Sequence, residues 1–399
     1  MTLVAVVFAI VYLGMILGGL PFLQLDRTGI ALLGAIALVA FGALTPEEAA
    51  QSIHLPTLLL LFSFMVLSAQ MRLGGFYTWV TLRIAALPVG PAALLAAAMA
   101  AVAALSAVFS NDVVCLAVAP VLADACLRRG IDPVPYLLGL ACAANIGSAA
   151  TLIGNPQNML IGQVLDLPFA AYALEALVPV LVSLALAWAI IAWRLQEVPS
   201  MKTPLPERRE DAYASFDPWQ TAKGLAVAAA LVIVFLFTSW PREVAALTGA
   251  GLLLMSRRLH SNKMLGLVDW ELLVLFIGLF VVNHAFQATG LAAQALAALG
   301  TGAGSLFVAT LVLSNVVSNV PAVMLLLPAA TEPFAGPMLA LVSTLAGNLL
   351  IVGSIANIIV VDAARRRGVE IDWRRHALTG VPVTLASLAV AGAWFAMRI

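Results

Sequence analysis

Apolar residues run along this chain in long unbroken stretches, with no polar stripe of the kind a water-facing helix carries. The stretches fall at about 3–20, 30–44, 56–71, 92–109, 113–127, 135–165, 172–193, 221–239, 242–256, 269–288, 303–317, 320–331, 337–361 and 376–397. A helix needs about 20 apolar residues to cross a hydrocarbon core, so the pattern predicts roughly ten crossings. The first stretch lacks the basic start of a signal peptide and is expected to remain as a span. Only 195–220 is long and polar. It carries Pro199, Pro204 and Pro206 with much of the local charge, and it reads as a linker between two halves, 1–194 and 221–399.

Composition removes the soluble alternatives. Of 399 residues, 63% are hydrophobic and 10% charged, against roughly 25% charged in a soluble domain. A net charge of zero gives no reason to expect nucleic acid as a partner. Cys115, Cys126 and Cys142 have no metal-binding spacing, and no cofactor is expected. Basic residues set the orientation, because cytoplasmic loops retain them. With the linker inside, and with 92–127 and 303–333 returning to the side they left, only Arg242 and Arg398 among the Lys and Arg residues lie outside. Both termini then come out periplasmic. The expectation is a multi-pass protein of a bacterial inner membrane.

Each half carries the same interruptions in the same order. Ser110-Asn111 and Ser318-Asn319 each break an apolar run, and each is followed by eight residues and a Pro, Pro120 or Pro328. One turn upstream stand Ser106 and Ser314. Further on, Gly154-Asn155-Pro156-Gln157-Asn158 matches Gly353-Ser354-Ile355-Ala356-Asn357. The stretch from His54 to Gly75 resembles that from Asp269 to Gly290 in Leu and Phe content, with a one-residue slip. The pattern predicts an all-α protein of two inverted-topology repeats, with two re-entrant hairpins (92–127 and 303–333) and two broken helices (135–165 and 337–361). Such repeats with broken helices are typical of secondary transporters.

The residues at the breaks suit ions and polar solutes. Backbone at membrane depth must be satisfied internally or line a wet cavity. A Ser-Asn tip offers a hydroxyl, an amide oxygen and freed carbonyls, which suit a hard cation such as sodium. Nearby helix N-termini suit a polar or anionic substrate. Gly154 and Gly353 allow close approach, and Pro156 should end the helix before it. Asn145, Asn155, Asn158, Asn348, Ser354 and Asn357 then stand near the breaks as side-chain ligands, although Asn in a membrane helix can also join helices. Asp112 is the one carboxylate at a tip, facing Val320 at the matching position. It is either a proton or ion carrier or a helix cap. Glu175, Glu271 and His284 read as structural.

At FSNDVVCLAVAPVL, NIGSAATLIGNPQNMLIG, LSNVVSNVPAVMLLLP and GNLLIVGSIANIIVV the chain resembles the ion transporter superfamily. The nearest subgroup is the arsenite permease/NhaD-type/citrate-transporter-like group, related to divalent anion symporters. The resemblance covers roughly 30–395. It implies a homodimer and elevator-type movement. It also implies one cation site at Ser106, Ser110, Asn111 and Gly154, another at Ser314, Ser318, Asn319 and the region of Gly353 and Ala356, and substrate between the tips. Dicarboxylate–sodium symporters of the superfamily read Ser-Asn-Thr at the tips. The third positions here are Asp112 and Val320, which favours an arsenite- or antimonite-like oxyacid, coupled to sodium or protons. The alternatives are a di/tricarboxylate or sulfate symporter, a sodium/proton antiporter, and, from another class, a channel. No HExxH or GxSxG motif supports an enzyme.

Overall fold

A computed structural model describes residues 1–19, 23–195, 215–300 and 302–398. The expected linker lies largely outside the described residues. Twenty α-helices are described. Before the linker come α1 (Thr2–Leu17), α2 (Arg27–Ala40), α3 (Pro46–Ser52), α4 (Leu55–Leu73), α5 (Phe76–Ala85), α6 (Pro91–Val108), α7 (Asn111–Arg128), α8 (Val134–Ser148), α9 (Pro156–Val164) and α10 (Phe169–Leu195). After it come α11 (Pro218–Phe237), α12 (Arg242–Leu254), α13 (Ser261–Leu265), α14 (Trp270–Ala288), α15 (Leu291–Leu299), α16 (Ala303–Val316), α17 (Asn319–Leu326), α18 (Ala335–Ala346), α19 (Ile355–Arg365) and α20 (Trp373–Ala396). No strand occurs among the described residues. Six helices (α4, α6, α10, α11, α14 and α20) are long and apolar enough to cross a membrane, and six shorter helical stretches are apolar. This is a multi-pass helical architecture.

Local chemistry places the helix starts. Thr45 and Glu48 form a reciprocal capping box at α3, satisfying two otherwise free N–H groups. Asn155, Asp217, Asp269 and Asp372 cap α9, α11, α14 and α20, with Pro156 and Pro218 at first helical positions where no N–H is needed. α4 and α14 are 19 residues each, start after His54 and Asp269, and end into Gly75 and Gly290 in the left-handed region. That match is in register, without the slip expected from sequence.

Other boundaries shift. The first broken helix is open over 149–155 rather than at one point, and the second over 347–354, with a 3-10 turn at Ile351–Gly353. α17 stops at Leu326 and a 3-10 turn, Leu327–Ala329, follows. Beyond it the expected run to 331 is not helical. The arms of the first interruption, α6 and α7, have 18 residues each, about 27 Å at 1.5 Å per residue. The second pair, α16 and α17, has 14 and 8.

Packing crosses between the halves. α2 lies on α14 and α12 on α4; α7 lies along α19, α17 touches α9, and α10 packs on α20. The helix ends sort into two groups. At one end Asp217 N donates to Gly74 O, Lys223 reaches the Leu253 and Met255 carbonyls, Thr28 Oγ1 donates to Glu271 O, and Arg367 pairs with Asp124 at 2.8 Å. At the other, Arg242 meets Asp166 at 3.6 Å and Arg398 pairs with Glu175. The two basic residues set apart by the charge pattern, Arg242 and Arg398, each stand beside a carboxylate.

Candidate functional site: two Ser-Asn tips and two broken helices

The first tip is the turn between α6 and α7. Ser110 sits at φ −51 and ψ 130, and Asn111 N donates to Gly154 O at 3.1 Å. Ser106 is fully buried and its Oγ has no partner among the described residues. Its carbonyl and that of Ser148 crowd Gly154, where a Cβ would stand 2.8 Å from the first and 2.2 Å from the second. Only glycine fits there. Asn111 Nδ2 donates to Asn145 Oδ1 at 3.1 Å, which leaves Asn111 Oδ1 unpaired. Asp112 follows in the first turn of α7, half-buried, within electrostatic range of the Asp269 carboxylate.

The second tip lies between α16 and α17 and is built differently. Ser318 sits at φ 79 and ψ 161, a region that costs a non-glycine residue about 1–3 kcal/mol. Ser314 Oγ, Asn315 Oδ1 and Asn319 Oδ1 are buried without partners. Asn319 Nδ2 lies 3.2 Å from where a Cβ on Gly347 would be, and a Cβ on Gly353 would stand 2.9 Å from Asn315 Oδ1.

The two broken helices are joined through their polar residues. Asn145 uses its whole amide. Its Oδ1 accepts from Asn111 and from Ser354 Oγ at 2.9 Å, while its Nδ2 donates to Asn348 Oδ1 at 2.8 Å and Asn357 Oδ1 at 3.2 Å. Across the interface, Thr344 Oγ1 accepts from Asn155 and Gln157 at 3.2 Å each and donates to Asn158 Oδ1 at 3.3 Å. Asn145 stands nine residues before Gly154, and Thr344 nine before Gly353. Asn155 and Ser354 directly follow those glycines; Asn158 and Asn357 come four after. The same positional rule thus runs in both directions, each half reaching into the other's break.

These bonds divide the candidate residues. Asn145, Asn155, Asn158, Ser354 and Asn357 spend side-chain groups on protein partners; Asn158 also donates to Thr151 O and Tyr172, and Asn357 to the Gly347 and Leu350 carbonyls. Asn348 keeps a free Nδ2. The open oxygens belong to Ser106, Asn111, Ser314 and Asn319, with Asn315 added. Sequence reasoning passed over Thr344, Gln157 and Asn315. Thr344 could have been found by counting nine back from Gly353, as for Asn145. A cavity of about 430 Å³, lined by Gln287, Leu296, Leu306, Leu326, Glu332 and Phe334 among others, lies away from both tips, between α15, α16 and the connection after α17. Among the described residues no cluster of His, Cys, Asp and Glu could hold a metal ion.

Two broken helices bonded to each other through buried polar residues, two buried polar tips beside them and a largely apolar exterior point to a class, polytopic membrane transport proteins. Relatives agree. A citrate transporter family profile matches residues 4–337. A silicon efflux transporter of Oryza sativa subsp. japonica is 28% identical over 97% of this chain and 96% of its own length. A transporter of Mycobacterium tuberculosis is 27% identical over 94% of each chain. A transporter named arsB in Dictyostelium discoideum is 22% identical over 92% of this chain and 87% of its own. The chain belongs to the citrate transporter family, within the ion transporter superfamily, and is a transporter.

Proposed function

We propose that the protein is an ion-coupled secondary transporter of a small neutral oxyacid, of the arsenite, antimonite or silicic acid kind, bound between the two Ser-Asn tips. The carrying observation is the set of unpaired buried oxygens on Ser106, Asn111, Ser314 and Asn319. Each costs about 1–3 kcal/mol while unmet, and each can accept from a hydroxylated solute or a sodium ion. The tips bring no Lys or Arg to balance a carboxylate or sulfate, and Asp112 adds negative charge. Helix N-termini supply N–H donors, although Pro156 and Pro321 remove one each.

The two halves act as inverted repeats, 1–194 and 221–399, with the hairpins and broken helices moving as an elevator against the remaining helices. Reciprocal bonding about Asn145 and Thr344 and the exchange of α2 and α12 onto α14 and α4 support that reading. Sodium sits at Ser110, Asn111 and Gly154, and at Ser318, Asn319 and Gly353, or else protons couple through Asp112. The end rich in Arg is cytoplasmic, the protein resides in a bacterial inner membrane, and it works as a homodimer. A second reading, a di- or tricarboxylate symporter, draws on the description of the family.

Purified protein in liposomes separates the two. Arsenite, antimonite, silicic acid, sulfate and citrate are offered with and without sodium and pH gradients. Saturable counterflow of the oxyacids is expected. Citrate counterflow in their place would give the site to the second reading, and flux without counterflow would indicate a channel.

A further inference from the structure

One correspondence between the halves lies outside the tips. α2 opens Arg27-Thr28-Gly29-Ile30-Ala31-Leu32-Leu33-Gly34-Ala35, and α12 opens Arg242-Glu243-Val244-Ala245-Ala246-Leu247-Thr248-Gly249-Ala250. Arg, Ala, Leu, Gly and Ala recur at matched positions. The two arginines, however, end in different surroundings. Arg242 is 13% exposed and donates to Gly162 O at 2.8 Å and Leu167 O at 3.0 Å, with Asp166 at 3.6 Å. Beside it Gln163 Nε2 donates to Glu243 Oε2 at 3.4 Å. The start of α12 therefore grips the C-terminal end of the first half's broken helix.

Counted from Gly353 as these are counted from Gly154, the equivalents of Gly162, Gln163, Asp166 and Leu167 are Val361, Asp362, Arg365 and Arg366. In the observed conformation α2 does not grip them. Arg27 has no hydrogen bond or ion pair among the described residues. Thr28 donates instead to Glu271 O, and Asp362 holds Arg366 within its own helix at 2.7 Å.

We propose that Arg242 and Arg27 are alternating latches, each holding the C-terminal end of the other half's broken helix in one of the two end states of transport. The structure has the Arg242 latch closed and the Arg27 latch open. This rests on the alternating-access reading above: when inverted repeats exchange conformations, a contact made by one half reappears at its counterpart. The backbone carbonyls and Asp362 offer Arg27 and Thr28 acceptors like those of the closed latch, whereas Arg365 stands where Asp166 does, so the Arg27 latch lacks that ion pair and is the weaker of the two. A guanidinium suits helix C-terminal carbonyls and the negative end of the dipole. Where Gln163 donates to the carboxylate of Glu243, Thr28 would donate to the carboxylate of Asp362, with the roles of the two halves exchanged. A plain helix cap at α9 would need no partner site at α2.

Two cysteine pairs test this in the full-length protein in liposomes: Gln163→Cys with Glu243→Cys, and Thr28→Cys with Asp362→Cys. The three native cysteines are buried. A protease site placed within 196–214 makes each disulfide visible as two halves held together on a gel. Both pairs should cross-link under mild oxidation, and each disulfide should stop arsenite counterflow until reduced. Arg242→Gln, losing charge-assisted bonds, should move the ratio of the two yields toward the 28–362 pair by about tenfold. If the 163–243 pair forms and the 28–362 pair never does, in either background, the latch is wrong; arsenite counterflow persisting in those liposomes would leave the transport reading standing. If the 28–362 pair forms and no oxyacid shows counterflow, the latch holds and the substrate reading fails.

Discussion

The two Ser-Asn tips share their letters and differ in nearly everything else. The first is relaxed and tied down: Asn111 is held through its backbone by Gly154 and through its side chain by Asn145. The second is strained at Ser318, and although both Asn residues leave an oxygen unpaired, the Asn319 side chain has no hydrogen bond to the described residues. The two arginines differ in the same manner: Arg242 is engaged, and Arg27 has no partner among the described residues. The same two tip residues, Ser and Asn, thus stand in unlike local states in the two halves. The difference therefore locates stored energy, about 1–3 kcal/mol at Ser318, in the second half.

The sharpest way to break this comparison is a methyl group at each paired glycine. Gly154→Ala drives a Cβ into backbone atoms of Ser148 and Ser106, which cannot step aside. We expect a loss of more than about 3 kcal/mol, read as a collapse of the thermal transition in detergent. Gly353→Ala meets the Asn315 side-chain oxygen at 2.9 Å and the Gly347 carbonyl at 3.3 Å, looser contacts than those at Gly154, and should cost about 1–2 kcal/mol. Equal losses would mean that the two breaks are equally tight.

Next in size is the pair of cross-half hubs. Asn145→Ala strands four hydrogen-bond partners in a buried site and should cost about 3 kcal/mol, against about 1–2 for Thr344→Val. Thermal unfolding ranks them, and the reverse order would contradict the bonding described.

At the tips, Asn111→Ala and Asn319→Ala should each weaken oxyacid transport ten- to a hundredfold, about 1.5–3 kcal/mol of lost contact. Only Asn111→Ala should also lower the melting temperature, because only that side chain is bonded to the protein. Kinetics and melting of the same samples separate the two effects. Asp112→Asn should keep downhill exchange and lose stimulation by a pH gradient; unchanged stimulation would leave Asp112 a helix cap.

The smallest effect carries opposite signs. Ser318→Gly should stabilise by about 1 kcal/mol by releasing the positive φ, whereas Ser110→Gly, already relaxed, should destabilise by about 0.5 kcal/mol. Stabilisation at both positions would remove the asymmetry.

The fold was largely legible in the chain because membrane crossings are read from length and apolarity alone. Every apolar run holds a helix among the described residues, and both breaks fell where Gly and Pro-Gln-Asn or Ser interrupt them. The short helices α3, α5, α13 and α15 escaped because a search for runs of about 20 residues passes over elements of 5–10. The site was legible in its residues and not in their partners. Nothing in the sequence says that Asn145 spends its amide across the interface while Asn319 keeps an oxygen free. Thr344 stayed hidden because a hydroxyl takes the place that an amide holds in the other half. The Arg27 and Arg242 match was masked by the Leu and Ala around it, which look alike in any two apolar helices.

Counterflow in liposomes tests the central claim most directly. Vesicles loaded with unlabelled arsenite and diluted into a trace of labelled arsenite should accumulate label transiently with wild-type protein. With Asn319→Ala they should do so at a tenth of that rate or less. Citrate-loaded vesicles should show no such overshoot. An overshoot with citrate and none with arsenite, or an Asn319→Ala variant as fast as wild type, would contradict an oxyacid held between the two tips.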